Sequence, residues 1–249
     1  MLRLRRWGML CGVAAALGML SIGDAAAPLP LDKVAPADDL AAEAVAKGQE
    51  LLGWVESADA YQEHADKVRQ TASLLAVLGQ ALAEHPQGSA LKAAGPSLRQ
   101  AAIAIARSKT HDEAKAAVPH LRAALGGQAT GDLPVDYDWA KLASMHPAME
   151  EMNQRASQLR RLLRRPKDPQ ADSRHATAIA LLAVAAYADT HEVKNPADTP
   201  RWQEMAAALQ KHMSASAQAI KARQTAEANR EFLAGMETCN KCHEVFNPQ

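Results

Sequence analysis

From about residue 39 to the end of the chain, apolar positions recur every three or four residues, the period of one helix face. In the C-terminal half, Met145, Met149, Met152, Ala156, Leu159 and Leu163 follow this spacing, with Ser144 as a candidate cap and Pro147 near the first turn. The stripe stops at Arg164-Arg165-Pro166. A second helix is predicted over about Ser173 to Thr190. Its run from Ala176 to Ala188 is almost wholly apolar, which suits burial on most sides. A third starts near Thr199-Pro200 and carries Trp202, Met205, Leu209, Met213 and Ile220. The fourth carries Phe232, Met236, Cys239, His243 and Phe246, so that His243 is expected to point into the shared seam. Four such helices with short links predict an up-and-down four-helix bundle.

The N-terminal half echoes this scheme. Leu74-Leu75-Ala76-Val77 with His85 matches Leu181-Leu182-Ala183-Val184 with His191. Pro96-Ser97-Leu98-Arg99-Gln100 matches Pro200-Arg201-Trp202-Gln203-Glu204, and Glu113-Ala114-Lys115-Ala116 matches Glu227-Ala228-Asn229-Arg230. Where the second copy carries cysteines, the first has Leu125-Gly126-Gly127-Gln128 and stops. The glycine- and proline-bearing stretch 126–134 is the expected boundary. The reading is therefore all-α, two tandem antiparallel four-helix bundles over residues 39–126 and 139–249. A proline-punctuated leader (28–38) precedes the first, and a linker (127–138) joins the two.

Residues 1–27 have the make-up of an export signal. Arg3, Arg5 and Arg6 precede an apolar stretch from Gly8 to Leu20, and Gly23-Asp24-Ala25-Ala26-Ala27 is a small-residue cleavage zone. The apolar stretch is short for a membrane span. The expectation is a periplasmic protein with no span after signal removal. Formal charge is zero, which gives no basic field for nucleic acid. Hydrophobic content is 48% but aromatics only 4%, the composition of helices packed through small residues.

The chemistry lies at the chain's end. Cys239-Asn240-Lys241-Cys242-His243 is the attachment sequence for covalently bound haem. Two thiols three apart on a helix face the same way and can each add to one vinyl group. The next residue's imidazole can then serve as the proximal iron ligand. A thioredoxin-like redox pair would want a βαβ setting, and no strand pattern flanks the motif. A structural zinc site would need a fourth ligand at recognisable spacing. Cys11 falls in the signal-like segment and is discarded with it, leaving two thiols, the number that haem loading in an oxidising compartment requires.

A helical bundle with Cys-Asn-Lys-Cys-His near its end, followed by Glu244-Val245-Phe246, resembles the class II cytochromes c, the cytochrome c′ and c556 type; the resemblance covers about 139–246. It implies one covalent haem c, anchored by Cys239 and Cys242 and ligated by His243. It also implies a first helix covering the opposite iron face, and often dimerisation through the first two helices. The family often carries a basic residue after the aromatic that follows the motif; here that position is Asn247. An apolar residue on the first helix leaves iron five-coordinate and open to NO or CO, whereas a methionine makes it six-coordinate and suited to electron transfer. Met149 is the first candidate for that ligand and Met152 the second, with His146 expected to be exposed.

The leading expectation is an exported monohaem electron carrier, not an enzyme, acting with redox partner proteins. Its N-terminal bundle is expected to pack on the haem bundle in place of a second subunit. The competing expectations are an NO- or CO-binding protein and a helical interaction module without haem. Arg155 and Arg174 are candidate partners for haem propionates. The cluster Arg160, Arg161, Arg164 and Arg165 reads as compensation of a helix C-terminus. His64, His85, His111, His120, His175, His191 and His212 share no ligand spacing and are expected at the surface or as caps.

Overall fold

A computed structural model describes residues 26–247; Cys11 and the signal-like segment up to residue 25 lie outside the described residues. Among the described residues the chain is helical with no strand. Its helices are α1 (Ala37–Val55), α2 (Ala58–Glu63), α3 (Ala65–Glu84), α4 (Gly95–Arg107), α5 (His111–Leu125), α6 (Met145–Leu162), α7 (Pro169–Ala188), α8 (Thr199–Lys221) and α9 (Thr225–Phe246). None of them is long and apolar enough to cross a membrane.

Local signals account for most of the boundaries. Ser57 caps α2 through the Ala60 amide and Thr110 caps α5 through the Glu113 amide. Asp168 accepts from the Gln170 and Ala171 amides, and Pro169 follows at the first helical position, so α7 begins a turn before the expected Ser173. Prolines likewise open α4 and α8, at Pro96 and Pro200.

The helices pack in two groups. In the first, α3 lies along α4, α4 along α5, and α1 closes against both α3 and α5. In the second, α7 lies between α6 and α8, and α9 lies along α8; α6 and α9 scarcely meet. The groups share one continuous apolar core, because α3 packs on α6 and α7, and α1 on α7.

Polar contacts tie the groups across this interface. Arg155 of α6 donates to Glu43 of α1 at 2.5 Å and to Glu151, one turn back on its own helix, at 2.7 Å; all three side chains are 3% exposed. Gln70 of α3 donates to Glu150 of α6 at 2.7 Å. Asp39 of α1 accepts from Gln170 of α7 at 2.9 Å and pairs with Lys221 of α8.

The leader and the linker are both packed against the helices. In the leader, Leu31 and Val34 are buried in the core. In the linker, Gly127 and Gly131 turn the chain at φ 79° and 78°. The buried Arg99 then holds the rest of the linker, donating to the carbonyls of Pro134 (2.8 Å) and Val135 (3.1 Å) and lying 4.5 Å over the Tyr137 ring.

Candidate functional site

One cavity of about 290 Å³ is bounded by all four helices of the second group, and the terminal motif lines it. α9 contributes Met236, Cys239, Cys242 and His243. α6 contributes Met149, Met152, Asn153, Ala156 and Arg160. α8 adds Trp202, Met205, Ala206 and Leu209, and α7 adds Ile179, Ala183 and Ala186. The wall is mainly apolar and small on the α7 side. The alanines there, together with the gap between α6 and α9, leave the space open.

The motif's setting follows from how α9 is seated. Gly235 lets α9 close on α8, because a Cβ there would overlap the Met213 side chain. Ser216 donates to the Ala228 carbonyl at 2.9 Å, and His212 pairs with Glu231 at 2.8 Å. Beyond the motif, the Phe246 ring meets Trp202 edge to face, with centroids 5.1 Å apart. Trp202 is itself fixed by an indole N–H bond to the Ala186 carbonyl at 2.7 Å. The last turn of α9 is thereby clamped to α7 and α8.

Cys239 and Cys242 are free thiols, both half-buried. Burial pushes the Cys239 thiol up to about 11, helped by Cys242, and burial raises Cys242 as well. This is the opposite direction from the depressed values of nucleophilic or redox-active cysteines. His243 lines the cavity but is exposed, and so stands at its mouth instead of within the seam.

Of the candidates on α6, Met152 is buried and Met149 half-buried, and both reach the cavity. The His146 side chain is 84% exposed and sits 3.4 Å from Glu150. Neither arginine expected to meet propionates lines the cavity. Arg155 is turned the other way, into the interface, because two carboxylates wait for it there. Burial pulls against its charge, but Glu43 and Glu151 outweigh that and hold the guanidinium protonated. The arginine on the cavity wall is Arg160, whose guanidinium lies 5.8 Å over the Phe232 ring. Its position eight residues after Met152 on the same stripe was the available signal, and reading it as part of a C-terminal basic cluster hid it. Trp202, Met205 and Met236 were likewise read as plain packing positions, yet line the same space.

Of the histidines expected at the surface or as caps, His85 is the C-cap residue of α3, whereas His175 lies inside α7. His85 is fully buried, its Nε2 3.0 Å from the Ala35 carbonyl, because the packed leader covers it. His175 is largely buried in α7 with no partner for its Nδ1. Burial and the nearby Arg155, Lys47 and Arg161 lower its pKa to about 4.

No protein-family model, curated protein or solved structure matches the chain.

Proposed function

We propose that this chain is an exported monohaem c-type cytochrome of the class II kind, acting in single-electron transfer. The observation that carries the reading is the meeting of Cys239, Cys242, His243, Met149 and Met152 around one cavity, drawn from two helices nearly a hundred residues apart. The donor set suits the group: two thiols for the vinyl carbons, one imidazole and two thioethers for iron, and Arg160 as a cation for the two carboxylates. When bound, the haem supplies a metal centre that gains and loses one electron. Cys239 and Cys242 would anchor it, His243 with Met149 or Met152 would offer donors to the iron, and the apolar lining would keep water from it. The cavity sits at the low end of the range for small-molecule sites. Admitting a whole porphyrin therefore requires α6 and α9 to part further, along the one seam of this group that is not closed by packing.

In the same reading each helix group is an antiparallel four-helix bundle, and the first is a haem-less copy of the second. The matched segments support this: they fall on α3 and α7, α4 and α8, and α5 and α9, in the same order. The first group lays α1 and α3 against α6 and α7, where a second subunit would lie in a dimer of the family.

A five-coordinate NO- or CO-binding protein is the second reading, favoured by the apolar wall of Ile179, Ala183 and Leu209. Absorbance spectra of oxidised and reduced protein, with and without CO, decide between them. Electron transfer with a methionine ligand predicts a six-coordinate spectrum and little response to CO. A ready CO response supports the gas-binding reading, and intact mass without an added macrocycle would end both.

A further inference from the structure

We propose that Glu43, on the first helix of the haem-less group, is a positioning residue that sets the rotation of α6 and so aims Met149 and Met152 into the cavity; this rests on the cytochrome reading above. α6 has two occupied faces. Met149, Met152 and Ala156 line the cavity, while Glu151 and Arg155 are buried away from it, where Arg155 meets Glu43 of α1. Glu151 is on α6 itself, so it orients the guanidinium without tying it to anything outside. Glu43 is 112 residues away in sequence and belongs to the other group, so its bond to Arg155 fixes α6 relative to the rest of the molecule. Gln70 makes a second crossing, from α3 to Glu150, beside Met149.

The lever is short. A helix has a side-chain radius of about 5–6 Å, so a roll of about 20° carries a side-chain tip about 2 Å. Metal–ligand distances tolerate only a few tenths of an ångström. On the opposite side α6 is not held by α9, which it scarcely meets. α6 packs along α7 and α3, and within that packing the Arg155–Glu43 bond is its buried ionic tie to the haem-less group, which thereby takes part in ligation without touching the metal.

The test uses the full chain, loaded with haem, as wild type, Glu43→Gln and Gln70→Ala. Intact mass reports haem attachment and circular dichroism reports folding. Glu43→Gln keeps the side-chain shape but removes the charge that holds Arg155; Gln70→Ala, at the milder crossing, serves if Glu43→Gln does not fold. The expected result is that the variants keep the haem mass and helicity, but that ferrous CO affinity rises by about fivefold or more as the fraction with the methionine detached grows. The spectrum should shift toward five-coordinate iron, and amide exchange along α6 should quicken in the haem-free variants while that of α8 does not. Folded, haem-bearing variants with CO affinity within about twofold of wild type would overturn the inference and leave the cytochrome reading standing. A wild type already five-coordinate overturns it too, with haem attachment intact. A wild type without haem mass overturns the reading beneath it.

Discussion

Gly48 of α1 lies directly against the Leu125 side chain of α5; a Cβ on Gly48 would overlap three of its carbons. Leu125 is the position matched to Cys239 in the other half. In the first group this leucine closes the seam between first and last helix, and α5 ends there. In the second group the matching helix runs about two further turns past Cys239, and its seam with α6 stays open. The same helix order thus gives one filled group and one with a cavity.

Gly48→Ala should therefore destabilise the protein despite the higher helix propensity of alanine. Overpacking costs about 1–3 kcal/mol, against a propensity gain of up to about 1 kcal/mol. Urea unfolding of Gly48→Ala, Leu125→Ala and the double variant checks it. The double should be more stable than the sum of the singles predicts, because the second change removes the obstacle. Additive losses would mean that Leu125 moves aside freely.

The helical class and the four C-terminal helices were legible because their stripes run for four turns or more with proline and serine or threonine punctuation. The terminal motif was legible as a pattern because its five residues are consecutive, and α9 carries Cys239, Cys242 and His243 to one cavity. What stayed hidden depended on tertiary partners. Arg155 and Arg160 lie five residues apart on one helix, and the role of Arg155 depends on Glu43, a partner 112 residues away that the local pattern does not show. His85 could not be read as buried without knowing that the leader folds over it.

Arg155→Ala should cost about 3–5 kcal/mol, because it leaves Glu43 and Glu151 as buried carboxylates without a counter-charge. Replacing all three residues with apolar side chains of similar volume should recover most of that loss, since the pair's attraction is set against its desolvation. Chemical denaturation of both variants measures the difference. A triple variant as unstable as Arg155→Ala would show that packing, not charge, is what the guanidinium provides.

His175 supplies a pH dependence. Its folded pKa of about 4 lies below the ordinary value of 6.5, so between those values the unfolded chain binds the extra proton and stability rises with pH. The contribution is complete above about pH 6.5 and is lost as pH falls toward 4, by up to about 3 kcal/mol and less where solvent screens the ring. Comparing wild type with His175→Phe by urea unfolding at pH 7 and pH 4.5 isolates this residue from the carboxylates. The stability difference between the two proteins should change with pH in favour of the variant at the acid end. Parallel pH profiles would mean that the ring is protonated without penalty in the fold.

Met149→Ala and Met152→Ala separate the two candidate ligands. The variant that removes the ligand should turn ferrous haem five-coordinate and open to CO. The other should keep the wild-type spectrum and lose only packing, about 2–5 kcal/mol at the buried Met152 and less at Met149. If neither changes the spectrum, the sixth ligand is not on this stripe.

Residues 132–249 produced alone should not behave as a quiet monomer. Without α1 and α3, Arg155 and Glu151 lose Glu43, Glu150 loses Gln70, and the apolar surfaces of α6 and α7 that complete the shared core face water. Exposed apolar area of that kind drives self-association or loss of fixed packing. Sedimentation should find dimers or larger species, and thermal unfolding should come earlier than in the full chain. If the fragment pairs through α6 and α7, the copy of the chain that it recruits occupies the place of the haem-less group, which is what a duplicated and silenced subunit predicts. A soluble monomer as stable as the parent would argue against that origin, because the first group would then be covering a surface that needs no cover.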